Sequence, residues 1–276
     1  MFDERRHDID ALRSIALFLL IFYHLAVSFT SVAKWILFVP NNKPIDNIWS
    51  LLSIFNIWRI PLLFIIAGIA LRFSYQNRGV GKLFKERFKR LGIPYLFGVV
   101  TFVPLYIIIS AQFIYGDMSL DDNIGVLITS IFTGGHLWFL INILIYCLLL
   151  IPIIGFISNK KRGYKFVDSI LKIRGGVLLF SIPIILEGYL LDLTAYKEDI
   201  GYGNSYSEYY GTDHGLLLGF IWFLIGIVLT SQGDTFWEYN IKNINTHALI
   251  GVPLLINRFV NEFEVANTLI AFESFN

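Results

Sequence analysis

Residues 8–29 read DIDALRSIALFLLIFYHLAVSF. Beyond Arg13 the stretch holds no Asp, Glu, Lys or Arg, and it approaches the roughly twenty apolar residues that cross a bilayer's hydrocarbon core as an α-helix. His24 lies eleven positions after Arg13. At about 100° per residue that is three turns plus about 20°, so both side chains share one helix face. Along the axis they stand about 16 Å apart, which puts Arg13 at headgroup level and His24 near mid-membrane. A titratable group at that depth is costly, normally faces the bundle interior or a wet cavity, and is a functional candidate by default. Each residue also has a plain reading: Arg13 as an interfacial anchor, His24 as an interhelical hydrogen-bonding group. Their shared face weighs against both plain readings at once.

The rest of the chain repeats this apolar character. It is 55% hydrophobic and 16% charged, with a mean hydropathy of +0.63. Spans are expected at 11–33, 49–72, 91–113, 136–158, 175–194 and 215–231, with a weaker seventh at 247–260. The fold class implied is all-α, a polytopic transmembrane helix bundle of six to seven spans. Residues 1–231 form the membrane domain, and 232–276 read as a degenerate or truncated continuation, because the apolar pattern decays and Arg258, Glu262, Glu264 and Glu273 interrupt it.

Charge sets the orientation. Connector 72–90 carries seven Lys or Arg against Glu86, and 158–174 carries six against Asp168, whereas 113–123 has three Asp and no base and 195–214 has only Lys197. The positive-inside rule then makes the N-terminus cytoplasmic in a multi-pass inner-membrane protein. A single crossing must join 113–123 to 158–174, so 124–134 is expected to re-enter or lie at the interface. The net charge of +1 says nothing about nucleic acid, but no segment looks like a basic groove for it, so no nucleic-acid partner is expected; the partner is the lipid bilayer. The lone Cys147 forms no internal disulfide and no cysteine metal site, and no metal is expected. No HExxH, G-x-S-x-G, Walker or GxGxxG pattern occurs, which argues against metalloproteases, serine hydrolases, P-loop pumps and dinucleotide enzymes.

Arg59 lies about ten residues into the second span, so its depth approaches that of His24, and it needs a carboxylate, carbonyl or ligand oxygen. Pro61 can free a backbone carbonyl nearby. Glu187, inside the fifth span, is a partner for Arg59 or for a substrate hydroxyl, the ion pair being favoured. Asp10 can pair with Arg13 or simply mark the helix entry. His136 and Trp138 open the fourth span near the outer face, either as an aromatic-belt anchor or as a rim for a sugar. The Tyr-rich stretch 195–215 reads as an interfacial loop that can also contact sugar.

The first helix resembles that of the integral membrane acyltransferase family called acyltransferase-three, whose hallmark is arginine, ten residues, histidine. DIDALR and LLIFYH further resemble the branch containing glucans biosynthesis protein C. WRIPLLFIIAG (58–68), RFKRLGIPY (87–95) and HLWFLIN (136–142) are similar to other family stretches. The resemblance implies an O-acyltransferase moving an acetyl or succinyl group from acyl-CoA, as co-substrate, to a hydroxyl of an extracytoplasmic glycan or glucan. Arg13, Arg87 and Arg90 then hold coenzyme A, since guanidinium forks suit phosphate oxygens. Arg87 and Arg90, three residues apart, are expected on one helix face. His24 is then the catalytic base, with Asp10, Arg59, His136, Trp138 and Glu187 supporting it or binding the acceptor. The competing readings are a secondary transporter with a His24, Arg59 and Glu187 relay, and an inactive fragment that only inserts.

Overall fold

The computed structural model describes residues 7–30, 33, 38–45, 48–76, 79–116, 119–133, 135–157, 163–192 and 213–273. Among these every regular element is a helix, and the protein is an all-α membrane protein. Helix α1 spans His7–Val27, α2 Ile48–Gln76 and α3 Val80–Arg87. A π-helical turn, Phe88–Gly92, leads into α4, Ile93–Tyr115. Then come α5 (Leu120–Thr133), a 3₁₀ turn (Gly135–Leu137), α6 (Trp138–Leu150), α7 (Ile154–Ile157) and α8 (Gly163–Lys172). A second 3₁₀ segment, Gly176–Ser181, runs into α9 (Ile182–Asp192). The described chain closes with α10 (Asp213–Thr230), α11 (Asp234–Lys242) and α12 (Ile244–Glu273), so most of the stretch read as decayed is helical.

Among the described residues, three helices are long and apolar enough to cross a membrane: His7–Val27, Trp58–Gln76 and Val80–Tyr115. His214–Thr230 and Thr235–Lys242, bent by 101°, make a fourth if they count as one broken span. That is fewer than the six to seven expected. The expected spans at 136–158, 175–194 and 247–260 hold shorter apolar helices, Gly135–Leu150, Gly176–Glu187 and Ile244–Asn257. Proline accounts for the first break: Pro152 has no N–H to give Leu148, and a turn at 151–153 separates α6 from α7. In the second, Pro183 sits near the start of α9, where its missing donor costs nothing, and a tighter 3₁₀ segment precedes it. The third apolar run stops at Arg258 although the helix continues.

The chain folds as two compact units. The first comprises Met1–Leu63, Lys89–Ile141 and Glu262–Asn276; the second comprises Phe64–Phe88 and Asn142–Asn261. In the first, α1 buries a narrow stripe (Ile9, Ala16, Tyr23, Val27) and exposes Phe18, Ile21, Phe22 and Leu25, an outward face suited to hydrocarbon. Helix α4 does the same, burying Val99, Val103 and Ile107 while Phe97, Val100, Phe102 and Leu105 face outward. Helix α5 packs back on α4. Its start is capped by Ser119, whose Oγ accepts from the Asp122 N–H and donates to the Asp122 carboxylate at 2.6 Å. With 14 residues, or about 21 Å, α5 falls short of the hydrocarbon thickness of about 30 Å, as a re-entrant segment would.

In the second unit, α2 and α10 cross backbone to backbone. A Cβ at Gly68 would fall on the Phe223 carbonyl oxygen, and one at Gly226 on that of Ile65. Lipid tails are as apolar as side chains, so close approach through small residues supplies the packing that water exclusion cannot. The amphipathic α8 packs Val167 and Leu171 against Ile225 and Leu229 of α10, with Phe236 and Tyr239 of α11 alongside.

Candidate active site

His24 lies in the last turn of α1, half-buried on the shoulder of the buried stripe. Its Nδ1 is 2.8 Å from the Leu20 carbonyl oxygen. A carbonyl only accepts, so Nδ1 carries a proton, and the neutral ring keeps its lone pair on Nε2. The ring edge that can take a proton therefore points away from the helix backbone.

Tyr23, next in the chain, is fully buried and lies under Arg59 of α2, whose guanidinium carbon is 4.1 Å from the phenol ring centroid. Arg59 is itself only 2% exposed. The cation is thus held against a π-face within the first unit and lies close enough to His24 to act on it electrostatically. Pro61, inside α2, cannot donate to the carbonyl of residue 57, which lies two residues before Arg59 on the same helix.

His136 reaches the same place from the 3₁₀ turn. Gly135 takes φ +47° and lies so close to Val103 of α4 that a Cβ there would stand 2.8 Å from Val103 Cγ1. Glycine satisfies both demands. The docked turn places His136 Nδ1 2.7 Å from the Tyr106 hydroxyl, about one helical turn past Val103 on α4. The His136 and His24 ring centroids are 5.8 Å apart. Phe38, from the segment after α1, lies within 5.7 Å of His24, nearly parallel to it, and within 4.6 Å of His136.

The structure thus gathers His24, Arg59 and His136 from the sequence-predicted set. Arg13 lies on the same shoulder of α1, exposed, with a rise of about 16 Å between it and His24. It makes no ion pair with Asp10, whose backbone carbonyl instead accepts from Ser14 Oγ at 2.9 Å. Trp138 is half-buried at the start of α6, its ring edge-on to Phe139. Arg87 and Arg90 were expected on one α-helical face, but the π turn Phe88–Gly92 follows directly on Arg87, so α-helical spacing fails there. Pro94 explains the turn: it cannot donate to the Arg90 carbonyl, and its ring pushes against that group, widening the helix. Arg87, in the second unit, reaches back to α2 and donates to the Ala70 carbonyl (3.0 Å) and Ser74 Oγ (2.6 Å). Arg90 is exposed.

Glu187 was paired with Arg59 by expectation. In the structure its buried carboxylate takes His214 at the start of α10, through Oε1 and Nδ1. Both residues belong to the second unit. The Tyr-rich stretch 195–215 lies outside the described residues except for its last three positions.

A family model described as an acyltransferase domain matches residues 6–236. The chain belongs to this acyltransferase family. Neither the curated proteins nor the solved structures returned a match. The acyltransferase is therefore a membrane enzyme that transfers groups other than aminoacyl groups, and every site residue named above lies inside the matched range. Sequence reasoning missed Tyr106, Phe38 and His214. Only His214 left a signal, an imidazole one residue ahead of an apolar span.

Proposed function

We propose that this acyltransferase carries an acetyl or succinyl group from cytoplasmic acyl-CoA to a hydroxyl of an extracytoplasmic glycan or glucan at the inner membrane. Its N-terminus is cytoplasmic. Arg13, Arg87 and Arg90 hold the phosphates of coenzyme A, with Asp10 at the helix entry. His24 Nε2 takes the acceptor hydroxyl's proton as the oxygen attacks the thioester carbonyl, and Arg59 stabilises negative charge that develops beside it. Trp138 and Glu187 serve the acceptor side. The succinyl option and the glucan option rest on the resemblance of the first helix to the glucan branch.

The observation that carries this reading is the pinned imidazole of His24. A base in the last turn of a membrane-length apolar helix, with one nitrogen fixed by the backbone and a buried arginine stacked on the neighbouring Tyr23, suits proton transfer better than helix packing alone. Membranes incubated in parallel with labelled acetyl-CoA and succinyl-CoA should deposit label in surface or periplasmic glycans. His24→Ala, inserted at the wild-type level, should abolish the transfer, and full activity in that variant would remove His24 from the mechanism. The carrier reading draws on the buried Glu187–His214 pair; uptake driven by a proton gradient without coenzyme A would favour it.

A further inference from the structure

The histidine opposite His24 has an unequal pair of nitrogens. His136 Nδ1 is bonded to the Tyr106 hydroxyl, while Nε2 is buried and meets no hydrogen-bond partner among the described residues. Buried polar atoms without partners are rare and costly, and in a binding site they mark the place of a ligand atom. Of the two groups in the Tyr106–His136 bond, the phenol O–H is the better donor. When it donates, Nδ1 is the acceptor and the neutral ring carries its proton on Nε2. His24 is held in the opposite tautomer, with Nδ1 protonated by the Leu20 bond. Two imidazoles with centroids 5.8 Å apart thus offer complementary atoms: a lone pair on one and an N–H on the other.

We propose that His136 is the oxyanion donor of this site, its Nε2–H bonding the thioester carbonyl oxygen as that oxygen becomes negative, with Tyr106 as the positioning residue that fixes its tautomer. The inference rests on the acyl-transfer reading and adds a division of labour to it. The acceptor oxygen forms a bond to the carbonyl carbon while its proton passes to His24 Nε2. The resulting oxyanion is held by His136. The intermediate collapses by breaking the carbon–sulfur bond, and the proton on His24 goes to the departing thiolate, giving ester and free thiol. His136 gains and loses no proton in this sequence. Buried donors aimed at developing charge are worth more here than in water because they need no reorganisation as the charge appears.

The test uses the full chain in membranes, with labelled acetyl-CoA and succinyl-CoA as donors, and compares wild type, His24→Ala, His136→Ala, His136→Gln and Tyr106→Phe. Removing the donor in His136→Ala should lower the maximal rate about 10²–10³-fold, the loss typical for one oxyanion-hole donor, with little change in KM for the thioester. His136→Gln keeps an N–H at a similar reach and should recover part of the rate. Tyr106→Phe should lose less than His136→Ala. Thermal unfolding of each variant separates these effects from packing damage. A His136→Ala rate equal to wild type, in a preparation where His24→Ala is inactive, overturns the donor role and leaves the base intact. Equal rates for His136→Gln and His136→Ala at equal stability overturn it as well. If the wild type transfers neither acyl group, the underlying reading falls, and this inference falls with it.

Discussion

The crossing of α2 and α10 makes a quantitative demand. At Gly68 a methyl group would overlap the Phe223 carbonyl, and at Gly226 it would overlap that of Ile65. Both obstacles are backbone, so no side chain can rotate aside, and the helices must separate. Overpacking costs about 1–3 kcal/mol, and a backbone obstacle belongs at the upper end, so Gly68→Ala and Gly226→Ala should each destabilise by about 3 kcal/mol. Both alanines, however, need the same separation. Once one has forced it, the second finds room, and the double variant should cost clearly less than the sum of about 6 kcal/mol, with a coupling of about 1–3 kcal/mol. Reversible unfolding in mixed micelles with graded SDS, followed by tryptophan fluorescence, measures all three values. An effect within about 0.5 kcal/mol for either single change, or strict additivity in the double, would refute the backbone-contact argument.

Arg59→Met exchanges a buried cation, and about 2 kcal/mol of cation–π attraction to Tyr23, for an apolar chain that no longer needs desolvating. Stability should change by less than about 1 kcal/mol while transfer falls at least tenfold; a transfer assay paired with thermal unfolding reads both. Glu187→Ala should cost about 1.5–3 kcal/mol by stranding His214, and Glu187→Gln, which keeps an acceptor for the ring N–H, should cost less; denaturation curves decide. Arg87→Ala should lower the melting temperature, because it leaves the Ala70 carbonyl and Ser74 without their guanidinium donor, whereas the exposed Arg90→Ala should not. If both cations hold coenzyme A, each loss should weaken the thermal shift that coenzyme A induces.

The first helix and its Arg13–His24 spacing were legible because helical periodicity is local and survives in any context. The family was legible for the same reason, since its signature lies within one helix. The company His24 keeps was not. His136 lies 112 positions along the chain, and Phe38 and Tyr106 look like any other aromatic in an apolar run. Their meeting depends on how α4 receives the turn after α5, which Gly135 decides through its backbone angle and not through a pattern. The partner of Glu187 was hidden for a related reason: two opposite charges inside spans invite each other on paper, but the buried carboxylate meets His214, 27 positions further along the chain. The breaks in the fourth and fifth expected spans were visible as Pro152 and Pro183, yet hydropathy windows average over single residues and conceal them. The widened turn before α4 was likewise hidden in the RFKRLGIPY stretch, where Pro94 acts on a carbonyl four residues upstream.

The bond from His24 to Leu20 has one more effect. An imidazole tied by one nitrogen to its own helix cannot swing round to pass a proton through to the far side, so whatever arrives at Nε2 must depart from Nε2. Donor and receiver therefore take turns at a single door. In the proposed transfer, the hydroxyl that gives up the proton and the sulfur that receives it have to come to the same edge of the ring, and no chain of groups on the other side of α1 is needed to return the enzyme to its starting state.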